Sequence, residues 1–171
     1  PTLTVPATVC DNSTAAVSSD VSVTWTAGSG SFTGTNPGTS VTFNPPAVAA
    51  PTVNQNVTIT GTNGACAPSS VIRVDNRPAL TVPASVCDNA TMAVSSDVSG
   101  TWTATTGSFT GTNPGTSLTY NPAGITPPTA SQGVTITVTN GVCAPTAATT
   151  VYNLPTLTVP ATVCDNSTAA V

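Results

Sequence analysis

The residues best suited to chemistry are five cysteines, three of which stand next to a carboxylate. Val-Cys-Asp-Asn occurs at residues 9–12, 86–89 and 163–166, placing Cys10, Cys87 and Cys164 at a constant offset of 77, with Cys66 and Cys143 repeating at the same offset. Such a thiol could be a nucleophile, a metal ligand or half of a disulfide. A nucleophilic cysteine needs a base or a cation nearby to lower its pKa. The chain has no His, Lys or Glu; its charges are six Asp and two Arg. No catalytic residue is assigned, and the chain is read as a non-enzyme. Zinc needs four N or S ligands at short spacing, which a pair of distant Cys in each repeat and no His do not supply. What remains is a structural disulfide in an oxidising compartment.

Oxygen ligands allow one further metal. Asp11, Asn12 and Asp20 recur as Asp88, Asn89 and Asp97, and two carboxylates with an amide per repeat could hold calcium. The competing reading is that Asp-Asn closes a turn through side-chain to backbone hydrogen bonds, with Asp20 and Asp97 acting the same way before the next strand. The absence of a D-x-D-x-D run favours turn closure, so no cofactor is expected.

The offset divides the chain into residues 1–77, residues 78–154 and residues 155–171. The first two align without a gap at roughly two-thirds identity, and the third copies residues 1–17 letter for letter. The third segment reads as the start of a further repeat, and more repeats are expected on both sides. The odd cysteine count follows, because the partner of Cys164 would belong to that further repeat. A net charge of −4 arises from scarcity of charge and offers no basic patch for nucleic acid. No apolar run approaches the ~18 residues of a membrane span, so no membrane insertion is expected in this segment.

Thr and Ser alternate with Val, Ile, Leu and aromatics, the period-2 pattern of half-buried strands, and no stretch shows a helical period. In the first repeat, strands are expected near residues 3–5, 14–18, 22–26, 31–33, 40–43, 57–62 and 69–74, and at the equivalent positions of the second. Asn63-Gly64 and Asn140-Gly141 mark hairpins. About seven short strands in a unit of this size describe an all-β, immunoglobulin-like sandwich, with copies stacked as a rod. Trp25 and Trp102 fall at equivalent places on the third expected strand and read as core residues.

VCDNSTAAVSS, VTWT and VTITGTNGAC, matched by VCDNATMAVSS, GTWT and VTITVTNGVC, resemble the tandem immunoglobulin-like and PKD-like repeats of giant bacterial cell-surface adhesins and filaments. Gly64 and Gly141 stand where antibody-type domains carry a Tyr two residues before the second Cys, which separates the chain from those domains. The resemblance implies an extracellular, cell-surface structural segment. The cross-sandwich bridge usual in immunoglobulin domains would pair Cys10 with Cys66 and Cys87 with Cys143, and this is the preferred connectivity. The alternative pairs Cys10 with Cys143: if strand order puts the two cysteines of one repeat at opposite poles, stacking brings the first of one repeat to the second of the next.

The functional expectation is a stalk or filament segment that presents or anchors an adhesive element and self-associates into a homomeric fibre, because its strand edges lack protective charge. The alternative is a module binding a cell-surface glycan or protein through its loops. SFTGTNPGTS, identical at 31–40 and 108–117, would carry that role through Phe32, Asn36, Pro37 and Gly38 and through Phe109, Asn113, Pro114 and Gly115.

Overall fold

The computed structural model describes residues 1–157. Cys164 and most of the 155–171 segment lie outside them. The first repeat contains β1 (Leu3–Thr4), β2 (Thr8–Cys10), β3 (Ala15–Ala27), β4 (Ser31–Thr33), β5 (Gly38–Asn44), β6 (Asn54–Thr62) and β7 (Ser69–Asp75). The second contains β8 (Leu80–Thr81), β9 (Ser85–Cys87), β10 (Met92–Ala104), β11 (Ser108–Thr110), β12 (Gly115–Asn121), β13 (Ser131–Thr139) and β14 (Thr146–Tyr152). The described residues contain no helix.

Each repeat is a two-layer immunoglobulin-like sandwich, and its third strand belongs to both layers. The first half of β3 pairs with β1 and β5, and its second half pairs with β6, which pairs in turn with β7. Residues 14–18 and 22–26, expected as separate strands, are thus one 13-residue strand. Ser19-Asp20-Val21 between them marks a register shift rather than a break. Asp20 sits at that shift and completes the β1 pairing: its carboxylate accepts from Thr2 N at 2.7 Å, and its own N–H donates to Thr2 O at 3.3 Å.

The seventh strand comes from a place the alternation does not reveal. Thr8–Cys10 forms β2, which runs parallel to the end of β7 with Cys10 opposite Asp75; β9 does the same beside β14. Both sheet edges are short: β2 and β4 have three residues each.

Period-2 alternation turns Val57 and Ile59 on β6 and Ile72 and Val74 on β7 inward, where they pack with Val17, Val23, Trp25, Val41 and Phe43. The second repeat has its own core around Val94, Trp102, Leu118, Tyr120, Ile136 and Val138. Two separate cores mean that each repeat removes its own apolar surface from water, so contact between repeats is an addition to the fold.

Candidate functional site

The junction between repeats is built from backbone polarity, one buried carboxylate and one disulfide. Strand β7 delivers Asp75 and Asn76 to the pole from which the chain leaves the first repeat, and the parallel β2 brings Cys10 to the same pole. The β13–β14 hairpin comes back from the second repeat to meet them. Gly141 holds a φ of 57° in that hairpin, a left-handed conformation that favours glycine.

The hairpin is gripped at several points. Asn140 Nδ2 donates to Val53 O at 2.7 Å and to Asn76 O at 2.8 Å, and Val142 N donates to Asp75 Oδ2 at 3.0 Å. Cys143 is bonded to Cys10 across a sequence separation of 133, with the Cα atoms 5.3 Å apart. Cys143 and Asp75 are both buried. A buried carboxylate is costly unless paired. Asp75 is paired with Arg73, whose Nη2 donates to Oδ2 at 3.2 Å and whose Nε lies 2.8 Å from Oδ1 without the alignment of a hydrogen bond.

The preferred connectivity, Cys10 with Cys66 and Cys87 with Cys143, is therefore corrected to Cys10 with Cys143. Cys66 closes the β6–β7 hairpin, bridged to Asn63, at the start of β7; Cys10 lies beside its end. Seven residues of β7 at about 3.3 Å each separate those two poles by roughly 20 Å, against the ~5.5 Å that a disulfide spans. Among the described residues Cys66 and Cys87 form no disulfide, and both are exposed.

The Asp of Val-Cys-Asp-Asn holds the linker. Asp11 Oδ2 accepts from Val48 N and its Oδ1 from Arg77 N, both at 3.1 Å. In the second repeat Asp88 accepts from Ile125 N and Leu154 N, again at 3.1 Å. Those donors, Ile125 first, hold the Asp88 carboxyl below its ordinary value. Each carboxylate thus ties the loop after the fifth strand of its repeat to the segment that leads into the next. Asn12 and Asn89 are exposed in the turn that follows. Asp97 accepts from Ala79 N at 2.7 Å, as Asp20 does from Thr2, whose N–H lowers the Asp20 pKa. The calcium candidates therefore spend carboxylate oxygens on backbone N–H groups. Cys10, Asp11 and Cys143 do cluster, but both sulfurs are in the disulfide and have no thiolate to offer a metal.

The candidate interaction loop is fastened to the core. Asn36 Oδ1 accepts from Trp25 N at 2.8 Å and its Nδ2 donates to Trp25 O at 3.0 Å, so the side chain pairs with the tryptophan backbone as a neighbouring strand would. Trp25 Nε1 donates to Gly38 O at 3.0 Å. Phe32 sits between Trp25 and Phe43, with ring centroids 6.3 and 5.5 Å away. A Cβ on Gly38 would collide with the carbonyl oxygen of Thr35. Asn113, Trp102, Gly115 and Phe109 reproduce the arrangement, with Phe109 between Trp102 and Tyr120. Pro37 and Pro114, each following its Asn through a cis peptide bond, are exposed at the tip.

The sequence signal for the inter-repeat staple was the cysteine offset itself; Asn140, Asp75 and Asn76 carried none. Fold and junction together define a class, tandem immunoglobulin-like sandwich repeats. No protein-family model matches the chain, and no curated protein sequence matches it. Among solved structures, the extracellular domains 3–5 of Drosophila OTK are 11% identical over 90% of this chain and 62% of theirs, with a TM-score of 0.42. A titin immunoglobulin tandem is 9% identical over 89% of this chain and 96% of its own, with a TM-score of 0.32. An endo-fucoidan hydrolase of glycoside hydrolase family 107 is 14% identical over 89% of this chain, with a TM-score of 0.39. The chain spans about a quarter of the length of the endo-fucoidan hydrolases it matches. At such identities and TM-scores the fold assignment stands on the strand pairing itself.

Proposed function

We propose that this chain is a structural, non-catalytic segment of an extracellular bacterial surface stalk or filament that presents or anchors an adhesive element. The observation that carries the reading is the Cys10–Cys143 bond, which joins successive repeats rather than the two layers of one. A bond of that kind does little for a single binding module. In a stalk it fixes one repeat on the next and resists shear or extension. Disulfides persist outside the reducing cytosol, and a surface of Thr, Ser and Asn with few charges is insensitive to salt.

Self-association into a multi-chain fibre belongs to the same proposal. Because the sheet edges close with three-residue strands, which limits edge-to-edge pairing, lateral contact would use the broad Thr- and Ser-rich faces. Val71, 54% exposed on β7, adds an apolar point to one of them. Sedimentation of the full chain under non-oxidising conditions, over a wide concentration range, tests it. Reversible growth in mass supports lateral bundling, and a strictly monomeric rod at the highest concentration removes it. Single-molecule extension tests the stalk: the oxidised chain should yield at higher force than one carrying Cys10→Ser, and equal forces would remove the mechanical role.

A further inference from the structure

Asn140 and Gly141 place a chemically labile dipeptide inside the contact that holds the repeats together. In an Asn-Gly sequence the glycine nitrogen can reach the side-chain amide carbon of the asparagine, because glycine has no side chain to obstruct the five-membered ring that forms. Asparagine is thermolabile for this kind of reason. At the junction the same amide makes the docking contact: Asn140 Nδ2 donates to Val53 O at 2.7 Å and to Asn76 O at 2.8 Å, both in the first repeat. Those acceptors are themselves fixed. Asn76 is buried, its N–H donates to Val53 O at 2.9 Å, and its Nδ2 donates to Thr52 O at 2.7 Å.

Three restraints hold the dipeptide back while the joint is closed. The Asn140 amide has two hydrogens and makes two hydrogen bonds, so it cannot turn toward Gly141 N without giving them up. The backbone is tied as well: Asn140 N donates to Cys143 O at 2.9 Å and Cys143 N to Asn140 O at 3.0 Å. Finally, Gly141 N must lose its proton before it can attack. The Asp75 carboxylate lies so close to this turn that a Cβ on Gly141 would overlap it, and negative charge there opposes that loss. The product does not fit the place its precursor held. An aspartate at position 140 has no hydrogen for Val53 O or Asn76 O, and its carboxylate would face two carbonyl oxygens with Asp75 close by. Isoaspartate also lengthens the backbone within the Asn140–Cys143 bridge.

We propose that Asn140 is a covalent modification site: its spontaneous deamidation is held off while the repeats are docked and, once they part, prevents them from docking again. In the open joint, Gly141 N gives its proton to hydroxide and attacks Asn140 Cγ. The new C–N bond closes a succinimide, the Cγ–Nδ2 bond breaks, and that nitrogen leaves as ammonia. Water then adds to either ring carbonyl and opens the ring to aspartate or isoaspartate. One water is consumed, one ammonia is released, and no electrons are transferred. The Cys10–Cys143 bond sets the rate, because it joins the two repeats at the hairpin that carries Asn140 and limits how often they separate. The chemistry needs neither enzyme nor ligand and does not rest on the stalk reading, since any process that parts the repeats triggers it. In a stalk under load, it turns a joint that has been pulled open into a lasting hinge.

The test incubates three samples of the full chain in mildly alkaline buffer: oxidised wild type, Cys10→Ser/Cys143→Ser, and wild type unfolded in urea. Digestion and mass spectrometry follow the conversion of amide to acid, with fragmentation placing it on residue 140. The oxidised chain should react slowest and the urea-unfolded chain fastest. The double variant should react roughly 30- to 1,000-fold faster than the oxidised chain, the range by which a disulfide of ordinary strength shifts an opening equilibrium. Asn140→Asp supplies the product directly. With the disulfide intact, it should speed hydrogen exchange at Val142, whose N–H reaches Asp75 across the junction, and should do so more than Asn140→Ala, which loses the same two hydrogen bonds without adding charge. Exchange at Val57 and Ile72, inside the first repeat, should stay unchanged in every folded sample, which shows that the sandwiches remain intact. Equal rates at residue 140 in the oxidised chain and the double variant, or in the oxidised chain and urea, would overturn the proposal. So would Val142 exchange that Asn140→Asp leaves unchanged.

Discussion

A Cβ placed on Gly141 would overlap the Asp75 carboxylate, whereas one placed on Gly64, the same residue of the preceding hairpin, would meet nothing within 4 Å. The two glycines share sequence context and left-handed backbone; they differ in whether a repeat is docked on them. Gly64→Ala should cost only the conformational strain of an L-residue there, about 1–2 kcal/mol. Gly141→Ala bears that strain and also drives the methyl group into a buried, ion-paired carboxylate, and should lose about 1–3 kcal/mol more. Urea unfolding of the two variants measures the difference. Equal losses would show that the junction contributes nothing to stability.

How the alternation was legible, and where it was not, follows from what each residue packs against. Val57, Ile59, Ile72 and Val74 face a core within their own repeat, so their spacing alone assigns strand and face. Strand β2 has only Thr8, Val9 and Cys10, too short for a period, and its parallel pairing with β7 is a long-range choice no local pattern encodes. That strand fixes the pole on which Cys10 lies, and with it the connectivity. The turn reading of Asp11 had the right chemistry and too short a reach: its acceptor oxygens serve Val48 and Arg77, 37 and 66 residues away. Asn36 read as a loop tip because Asn-Pro-Gly is turn chemistry; its second use, pairing with Trp25, depends on a strand that precedes the loop and its neighbouring hairpin.

Asn36 provides the next test. Asn36→Ala leaves Trp25 N and Trp25 O without their side-chain partner, and an unmet backbone polar group in a partly buried site costs about 1–3 kcal/mol. Asn36→Asp keeps the acceptor for Trp25 N and loses the donor to Trp25 O, so it should fall between wild type and Asn36→Ala. Thermal unfolding followed by tryptophan fluorescence checks the order. Asn113→Ala should reproduce the loss in the second repeat, because Asn113 makes the same pair of bonds to Trp102.

Asp88 predicts a pH response. Its folded pKa is lowered, chiefly by the N–H of Ile125 and then by that of Leu154, so the unfolded chain binds a proton at higher pH than the folded one. The stabilisation is fully present above the ordinary value near 3.8 and is lost as pH falls through the lower folded value. Carboxyl NMR titration should place the Asp88 midpoint below that of a model aspartate. In acid unfolding, Asp88→Asn should flatten the decline in stability below about pH 4 and make the chain less stable near neutrality. An Asp88 midpoint at or above the model value would remove the linker clamp.

The Cys10–Cys143 bond joins two repeats that already have separate cores, so its removal should loosen the joint and spare the sandwiches. In Cys10→Ser/Cys143→Ser, the far-UV circular dichroism of the strands should be unchanged at room temperature. The amide of Val142 is the sensitive probe, because its N–H donates across the junction to Asp75 Oδ2 and exchanges with solvent only when the repeats part. If the bond contributes the typical ~2–4 kcal/mol, Val142 exchange should accelerate roughly 30- to 1,000-fold, while the amides of Val57 and Ile72, paired with each other's strand inside the first repeat, keep their rates. Arg73→Ala should act on the same amide by leaving Asp75 buried without its cation, and should leave the disulfide intact. Uniform acceleration across Val57, Ile72 and Val142 would mean that the bond holds up the repeats themselves; no acceleration at Val142 would mean that the hydrogen bonds of Asn140 and Asp75 hold the joint without it.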